Sequence, residues 1–105
     1  TVSQLLMARF DVFPNPTDDG YLLDVQTDLL GGLNTRIVVP MMSVNKAPKA
    51  AKRLNPVIDI NGQAHVMVTQ FIAAVPASML KTAAANLDEN AEDITNALDM
   101  AFFGF

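Results

Sequence analysis

The residue types that usually perform catalysis are scarce in this sequence and form no known motif. His65 is the only histidine, and the chain has no cysteine. Without cysteine, a metal site would require His65 together with carboxylates, and no ligand spacing of that kind occurs. Ser3, Ser43 and Ser78 lie outside the glycine-flanked turn that exposes a nucleophilic serine. The sequence therefore predicts no catalytic centre, metal site or cofactor, and His65 is expected to be an ordinary strand residue with a hydrogen bond.

Four carboxylates stand close together before the last apolar segment, and two interpretations are open for them. A pair of carboxylates can act as general acid and base in an enzyme. Negative charge is also favoured in the first turns of a helix, where the helix dipole is positive. The second interpretation is favoured here, with Asp88 as the N-cap of a helix and the other carboxylates facing solvent. The four residues are Asp88, Glu89, Glu92 and Asp93.

The end of the sequence is unusually aromatic, with three of the six phenylalanines in the last four positions. Leaving each ring in water would forfeit roughly 1.5–3 kcal/mol, so we expect these rings to pack on the domain or dock on a partner. Phe102 shares the helical spacing of Ile94 and Leu98, which predicts that it packs in the core. Phe103 and Phe105 are predicted to anchor a protein partner, since aromatic residues dominate binding hot spots.

The charges of the chain exclude one class of function and suggest one kind of partner. With a net charge of −4, the protein is not expected to bind nucleic acid by general phosphate neutralisation. Four of the seven cationic residues nevertheless fall in one short segment, residues 46–53. This basic segment is either a solvated loop or a docking site for an acidic peptide. Its cationic residues are Lys46, Lys49, Lys52 and Arg53.

The length and composition are those of one small globular domain. Half of the 105 residues are hydrophobic, which is enough to bury a single core. Residues 1–6 precede the patterned sequence and are predicted to be an extension outside the fold, so the domain is expected to span residues 7–105. No apolar run long enough to cross a membrane and no secretory signal is recognised. Together with the lack of cysteine, this favours a cytoplasmic protein.

The pattern of apolar residues predicts a mainly β fold with a C-terminal α-helix. From Met7 to Val75, alternating apolar and polar residues indicate strands, which proline- and glycine-rich turns separate. Asn61-Gly62 lies between two such segments and is the usual signal of a tight β-hairpin. From Asp88 to Phe103, apolar spacings of three and four residues predict a helix, which Gly104 ends. The predicted strands are Ala8–Val12, Tyr21–Gln26, Arg36–Met42 (ending around Pro40), Pro56–Ile60 and Gln63–Thr69.

Several segments, in the same order along the chain, resemble the CcdB family of toxins from bacterial type II toxin–antitoxin modules. Their order and spacing are more specific than any one segment, and the resemblance extends from Met7 to Phe105. It implies an SH3-like barrel of the CcdB/MazF/Kid type that forms a homodimer in the bacterial cytoplasm. The matching segments are Asp24–Leu30, Arg36–Pro40, Asn55–Ile60, Val75-Pro76, Asp93–Ala97 and Phe102–Phe105.

The resemblance also implies a function that needs no catalysis by the toxin. Toxins of this family bind the A subunit of DNA gyrase and trap the complex in which gyrase has cut DNA. A CcdA-like antitoxin neutralises them, and such modules serve plasmid maintenance. The implied gyrase-binding residues are Leu29, Leu30, Asp99, Phe102, Phe103, Gly104 and Phe105.

This chain departs from a well-known family member at two of these positions. Phe103 stands where that protein has tryptophan, and phenylalanine attracts a cation less strongly than tryptophan does. Asp99 stands where it has asparagine, so a carboxylate replaces a neutral amide. The basic segment is expected to contact the acidic antitoxin, because their charges are opposite.

Two other functions stay open on the sequence alone. Endoribonuclease toxins of the MazF/Kid type share the barrel architecture, and such an enzyme would need an RNA groove with cationic or general-base residues. The chain could also be a CcdB homologue that still dimerises and binds an antitoxin but no longer poisons gyrase.

Overall fold

An antiparallel sheet that winds into a nearly closed barrel forms most of the structure. The computed structural model describes residues 8–104, and the predicted extension 1–6 lies outside the described residues. The described elements are β1 (Asp11–Pro14), β2 (Tyr21–Asp24), β3 (Thr35–Ser43), β4 (Val57–Ile60), β5 (Gln63–Met67), β6 (Ala73–Pro76), β7 (Ala85–Asn86) and α1 (Ala91–Phe103). The strands hydrogen-bond in the order β4-β5-β3-β2-β1-β7, and β6 also pairs with β3. This arrangement confirms the predicted mainly β, SH3-like barrel with a C-terminal helix.

The longest strand, β3, is the centre of the sheet because several neighbours pair with it. β2 pairs along one edge, while β6 at Thr35–Val38 and then β5 at Met41–Ser43 share the other edge. Pro40 lies where the partner changes, and its carbonyl accepts a hydrogen bond from the Val68 N–H at 3.0 Å. The prediction that this strand ends around Pro40 is therefore wrong. Pro40 has no N–H to donate, but it lies between the hydrogen bonds to β6 and those to β5. The strand therefore continues past the proline.

The first strand is buried on both faces, contrary to the prediction of a half-buried strand over Ala8–Val12. Phe10 packs in the main core inside the barrel, whereas Phe13 packs with Leu80 in a second cluster on the opposite side of the strand. Local alternation cannot reveal this second layer, because a distant segment supplies it. Phe10 has a φ of +71°, and the regular strand begins only at Asp11.

The predicted hairpin and the predicted end of the helix are both confirmed. Asn61 and Gly62 have φ values of +51° and +87°, as a two-residue turn between β4 and β5 requires. Gly104 adopts a left-handed conformation with φ of +77°. Its N–H donates to the carbonyls of Asp99 and Met100, which satisfies groups that the last helical turn leaves unpaired.

The C-terminal helical segment begins at Asp88, as predicted, but the predicted capping role of Asp88 is wrong. Asp88 is not an N-cap, because it begins a 3₁₀ turn and its N–H donates to Oδ1 of Asn86 at 2.8 Å. The Asn86 side chain thus satisfies the first N–H of the 3₁₀ turn, which leads directly into α1 at Ala91. The four carboxylates of this region are exposed to solvent, as predicted.

Gly20 allows two backbone segments to approach closely where β2 begins. Its φ is +94°, and a Cβ at this position would lie 2.4 Å from the carbonyl oxygen of Met41. We predict that Gly20→Ala lowers the free energy of unfolding by about 1–3 kcal/mol, because the backbone must shift and hold a strained conformation. Gly32→Ala is the matched control, since no heavy atom outside its chain neighbours lies within 4 Å of a Cβ there. Urea denaturation measures both variants, and equal stability of the two would contradict the prediction.

Candidate protein-binding surface

The last turn of α1 exposes its aromatic side chains. Phe102 and Phe103 are 61% and 70% exposed. The prediction that Phe102 packs in the core is therefore wrong. The helix is buried at Ile94 but only half-buried at Leu98, and from Met100 onwards every described residue is exposed. The barrel supports the first turns of the helix, and the aromatic turn lies beyond that support.

An apolar groove lies between the end of α1 and the barrel. Its volume is about 250 Å³, and Asp99 is the carboxylate among its described lining residues. Phe102 and Phe103 both line this groove, although the step of about 100° between neighbouring helical residues suggested that they face different surroundings. The groove can therefore receive an apolar side chain beside two rings and a negative charge. Its other lining residues are Val25, Ile37, Ile72 and Leu98.

The structure brings some of the predicted contact residues to the groove and places others elsewhere. Asp99, Phe102 and Phe103 line it. Gly104 follows directly and is exposed. Phe105 lies outside the described residues.

The predicted leucine pair lies on a separate 3₁₀ turn, Asp28–Leu30, here called the leucine turn. Leu29 is 92% exposed and Leu30 is 44% exposed, and no residue of the turn is buried. The Thr27 hydroxyl accepts a hydrogen bond from the Leu29 N–H at 3.4 Å. The turn begins three residues after Val25, which lines the groove. One short stretch of chain therefore connects the two apolar surfaces.

A buried polar network supports the base of the leucine turn, and no motif in the sequence predicts it. Asp24 and Arg36 form an ion pair at 2.6 Å, with both side chains almost inaccessible. Asp24 also accepts a hydrogen bond from the Gln26 N–H at 3.0 Å, and the Gln26 side chain is buried. Burial raises the pKa of Asp24, although the hydrogen bond and charge of Arg36 oppose that shift. The signal in the sequence is that Asp24 and Gln26 are polar, whereas the other residues of the predicted strand Tyr21–Gln26 are mostly apolar.

The basic segment lies at the opposite end of β3 from the groove. Ile37 of the groove and Ser43, where the segment's loop begins, are six residues apart on the strand, which corresponds to about 20 Å. The hydrogen bond between Lys46 and Asp19 lowers the pKa of Asp19 and raises that of Lys46, so this lysine already has a carboxylate partner. The remaining cationic residues of the segment, all exposed, are Lys49, Lys52 and Arg53.

His65 has the structural role that the sequence predicts. Its side chain is buried, Nδ1 lies 2.9 Å from the carbonyl oxygen of Gln63, and its ring forms a T-shaped contact with the Tyr21 ring, with centroids 5.2 Å apart. Within residues 8–104, no three histidine or acidic side chains are grouped so that they could hold a metal ion. No helix in the same range has the length and apolar character needed to cross a membrane.

A family model described as CcdB protein matches residues 9–104 of the chain. The match includes the leucine turn, all the residues that line the groove and Gly104. The resemblance seen in the separate sequence segments is thereby confirmed over nearly the whole chain.

Removing one partner of the buried ion pair is expected to destabilise the fold in a pH-dependent way. Arg36→Met leaves the Asp24 carboxylate buried without its cation, at a cost of about 3–5 kcal/mol at neutral pH. The pKa of Asp24 then rises further, so the folded variant binds a proton more readily than the unfolded chain does. Protonation of Asp24 thus stabilises the folded variant at low pH, and this contribution is lost as pH rises through the raised pKa of Asp24. The deficit relative to wild type should therefore shrink as pH falls from about 7 to about 4.

The double variant Asp24→Asn/Arg36→Met is the control for this prediction. It removes both charges but keeps a side-chain oxygen that can accept the Gln26 N–H. We expect it to recover most of the lost free energy and to lose the added pH dependence. Urea denaturation at several pH values measures all three proteins, and a single variant as stable as wild type at neutral pH would contradict the prediction.

Proposed function

Because the chain belongs to the CcdB family, we propose that this CcdB-type toxin binds the A subunit of DNA gyrase and traps the complex in which DNA has been cut. The observation that supports the proposal most is the exposure of large apolar side chains at the end of α1, beside the groove, and on the leucine turn. Leu29, Phe102 and Phe103 are all more than half exposed. Large exposed apolar side chains that share a groove, as Phe102 and Phe103 do, mark a surface that another protein covers.

Trapping of this kind requires binding and no chemical step by the toxin. A ligand with higher affinity for one state of its target shifts the population towards that state. Each tenfold shift requires a difference in binding free energy of about 1.4 kcal/mol. Aromatic anchors that enter a pocket open only in the cut state would supply this difference, since such anchors dominate interface energetics.

The groove offers gyrase an aromatic face and a negative charge at the same place. The Phe103 ring suits the face of a guanidinium group, an attraction of about 0.5–1 kcal/mol at an exposed site. Asp99 lines the groove beside it and attracts the same cation. The two departures from the known family member therefore act on one contact in opposite directions. The ring attracts a cation less strongly than tryptophan would, and the carboxylate attracts it more strongly than asparagine would.

Membership of the family supports two further partners. A second copy of the chain forms the homodimer, and a CcdA-like antitoxin neutralises the toxin. The basic segment has the charge to bind an acidic, extended antitoxin, and its exposed lysines can steer the encounter. Because this segment lies away from the groove, contacts with gyrase and with the antitoxin can be separated by mutation.

We predict that Leu29→Ala and Phe103→Ala each weaken trapping by tenfold or more, since truncating a hot-spot residue typically costs about 2 kcal/mol or more. Purified protein is incubated with gyrase and plasmid, and linear DNA is measured after denaturation. Both variants should keep wild-type thermal stability, because both side chains are largely exposed. Val57→Ala is the matched control, because Val57 is 58% exposed but lies on β4, outside the groove lining.

The same assay separates the proposed function from its alternatives. Linear DNA with the wild-type protein supports gyrase poisoning. Cleavage of added RNA without linear DNA would favour an endoribonuclease of the MazF/Kid type. Neither activity, in a protein that dimerises and binds an antitoxin, would indicate a homologue that no longer poisons gyrase. Wild-type trapping by both alanine variants would overturn the assignment of the surface.

The basic segment generates a separate prediction about the antitoxin. Lys49→Gln/Lys52→Gln should slow association with an acidic antitoxin peptide by roughly tenfold at low salt and flatten its salt dependence. Lys46→Gln should have a smaller effect, because Asp19 already offsets that charge. Lys81→Gln is the control, an exposed lysine outside the segment. Stopped-flow fluorescence measures the rates, and no change in the double variant would leave the segment as a solvated loop.

A further inference from the structure

The leucine turn has no buried side chain of its own, so its position depends on hydrogen bonds. None of its three residues is buried, and Leu29 projects almost fully into solvent. The bonds within the turn, such as that from the Leu30 N–H to the Thr27 carbonyl at 3.0 Å, give it shape. They do not fix it to the barrel. A short exposed turn held by local bonds alone opens at little free-energy cost.

Among the described residues, two hydrogen bonds tie the leucine turn to more distant parts of the structure or to the buried core. Asp28 Oδ1 accepts from the Arg9 N–H at 2.9 Å, in a contact that is exposed to water. Gln26 Nε2 donates to the Leu30 carbonyl at 2.9 Å, and the Gln26 side chain is only 3% exposed. The second bond is the stronger constraint, because hydrogen bonds strengthen where water is excluded.

Both the oxygen and the nitrogen of the Gln26 side-chain amide form hydrogen bonds. Oε1 accepts from the Ile37 N–H at 3.2 Å, while Nε2 holds the Leu30 carbonyl. One rigid amide therefore joins the leucine turn to β3 at the residue whose side chain lines the groove. A carboxylate could not donate the second bond, and an apolar side chain could form neither. The backbone of Gln26 is itself fixed by Asp24.

From this geometry we infer that Gln26 is a positioning residue for gyrase binding. Its buried amide holds Leu29 at a set distance and angle from the groove, so that both surfaces meet one face of the target together. The inference rests on the proposed function. Gln26 does not touch gyrase, since it is buried in the free toxin. Its contribution is to order the leucine turn before binding, which removes an entropic cost from association.

Gln26→Met tests the inference, because it removes both hydrogen bonds while nearly conserving side-chain volume. With the full chain and the purified gyrase A subunit, we expect affinity to fall about tenfold. Amide hydrogen exchange should become faster in residues 27–33 and stay unchanged in the β4–β5 hairpin. Gln26→Glu is a second variant that keeps the acceptor for Ile37 and loses the donor to Leu30, and the same losses are expected of it.

Asn55 provides a matched control for the loss of a buried amide. It is 5% exposed, its Nδ2 donates to the Met67 carbonyl at 2.9 Å and to Oε1 of Gln70 at 2.8 Å, and it is not among the residues that line the groove. Asn55→Leu should lower stability as Gln26→Met does but leave affinity for gyrase unchanged. Equal loss of affinity in both would show a general stability effect and overturn the inference.

A double-mutant cycle tests whether Gln26 acts through Leu29. In a Leu29→Ala background, Gln26→Met should cause little further loss of affinity, because the side chain it positions is gone. Additive losses, or unchanged affinity in Gln26→Met alone, would overturn the inference. Absence of binding by the wild-type protein would overturn the proposed function instead. The hydrogen-exchange comparison would then still decide whether Gln26 holds the turn.

Discussion

The buried ion pair between Asp24 and Arg36 is the contact on which the candidate binding surface depends. It joins the end of β2 to the beginning of β3 in a place that water does not reach. Burial raises the pKa of this carboxyl group, and the hydrogen bond and charge of Arg36 are the main effects that oppose the shift. Because the other oxygen of Asp24 binds the Gln26 backbone, the pair also fixes where the strand stops and the leucine turn begins. A buried polar contact thus determines the position of an exposed apolar turn.

The two candidate surfaces differ in the way they are built. The groove needs residues from both the barrel and α1, so it exists only in the complete fold. The basic segment is one continuous loop, and the Asn55 side chain closes its end by accepting the Ala51 N–H at 3.0 Å. Gyrase would therefore recognise tertiary structure, whereas an extended antitoxin would recognise a charged segment. This difference is the reason that substitutions can be expected to affect one partner without the other.

The sequence predicts well the features whose conformation depends on neighbouring residues. It predicts poorly the features that depend on contacts with distant segments of the chain. The turn at Asn61-Gly62 and the end of α1 at Gly104 follow from backbone preferences of those residues alone. The spacing of Phe102 fits a core position, but spacing does not show where the barrel stops supporting the helix. Asp88 does not cap α1, because it begins a 3₁₀ turn whose first N–H is bound by Asn86, and periodicity does not predict that turn. The candidate contact residues are identified by the family resemblance and not by local pattern. The role of Gln26 follows from the hydrogen bonds of its side-chain amide, which the sequence does not show.

The groove is built from segments that are far apart in the sequence, and this affects when during its synthesis the toxin can harm the cell that makes it. Ribosomes synthesise the barrel wall at Val25 and Ile37 well before the helical wall from Leu98 to Phe103. The pairing of β1 with β7 likewise joins the beginning of the domain to a segment translated much later. A nascent chain that still lacks α1 has no groove, however well its first strands have folded. Translation itself would therefore delay the proposed binding to gyrase, and a truncated product that ends before α1 would lack the surface proposed for it.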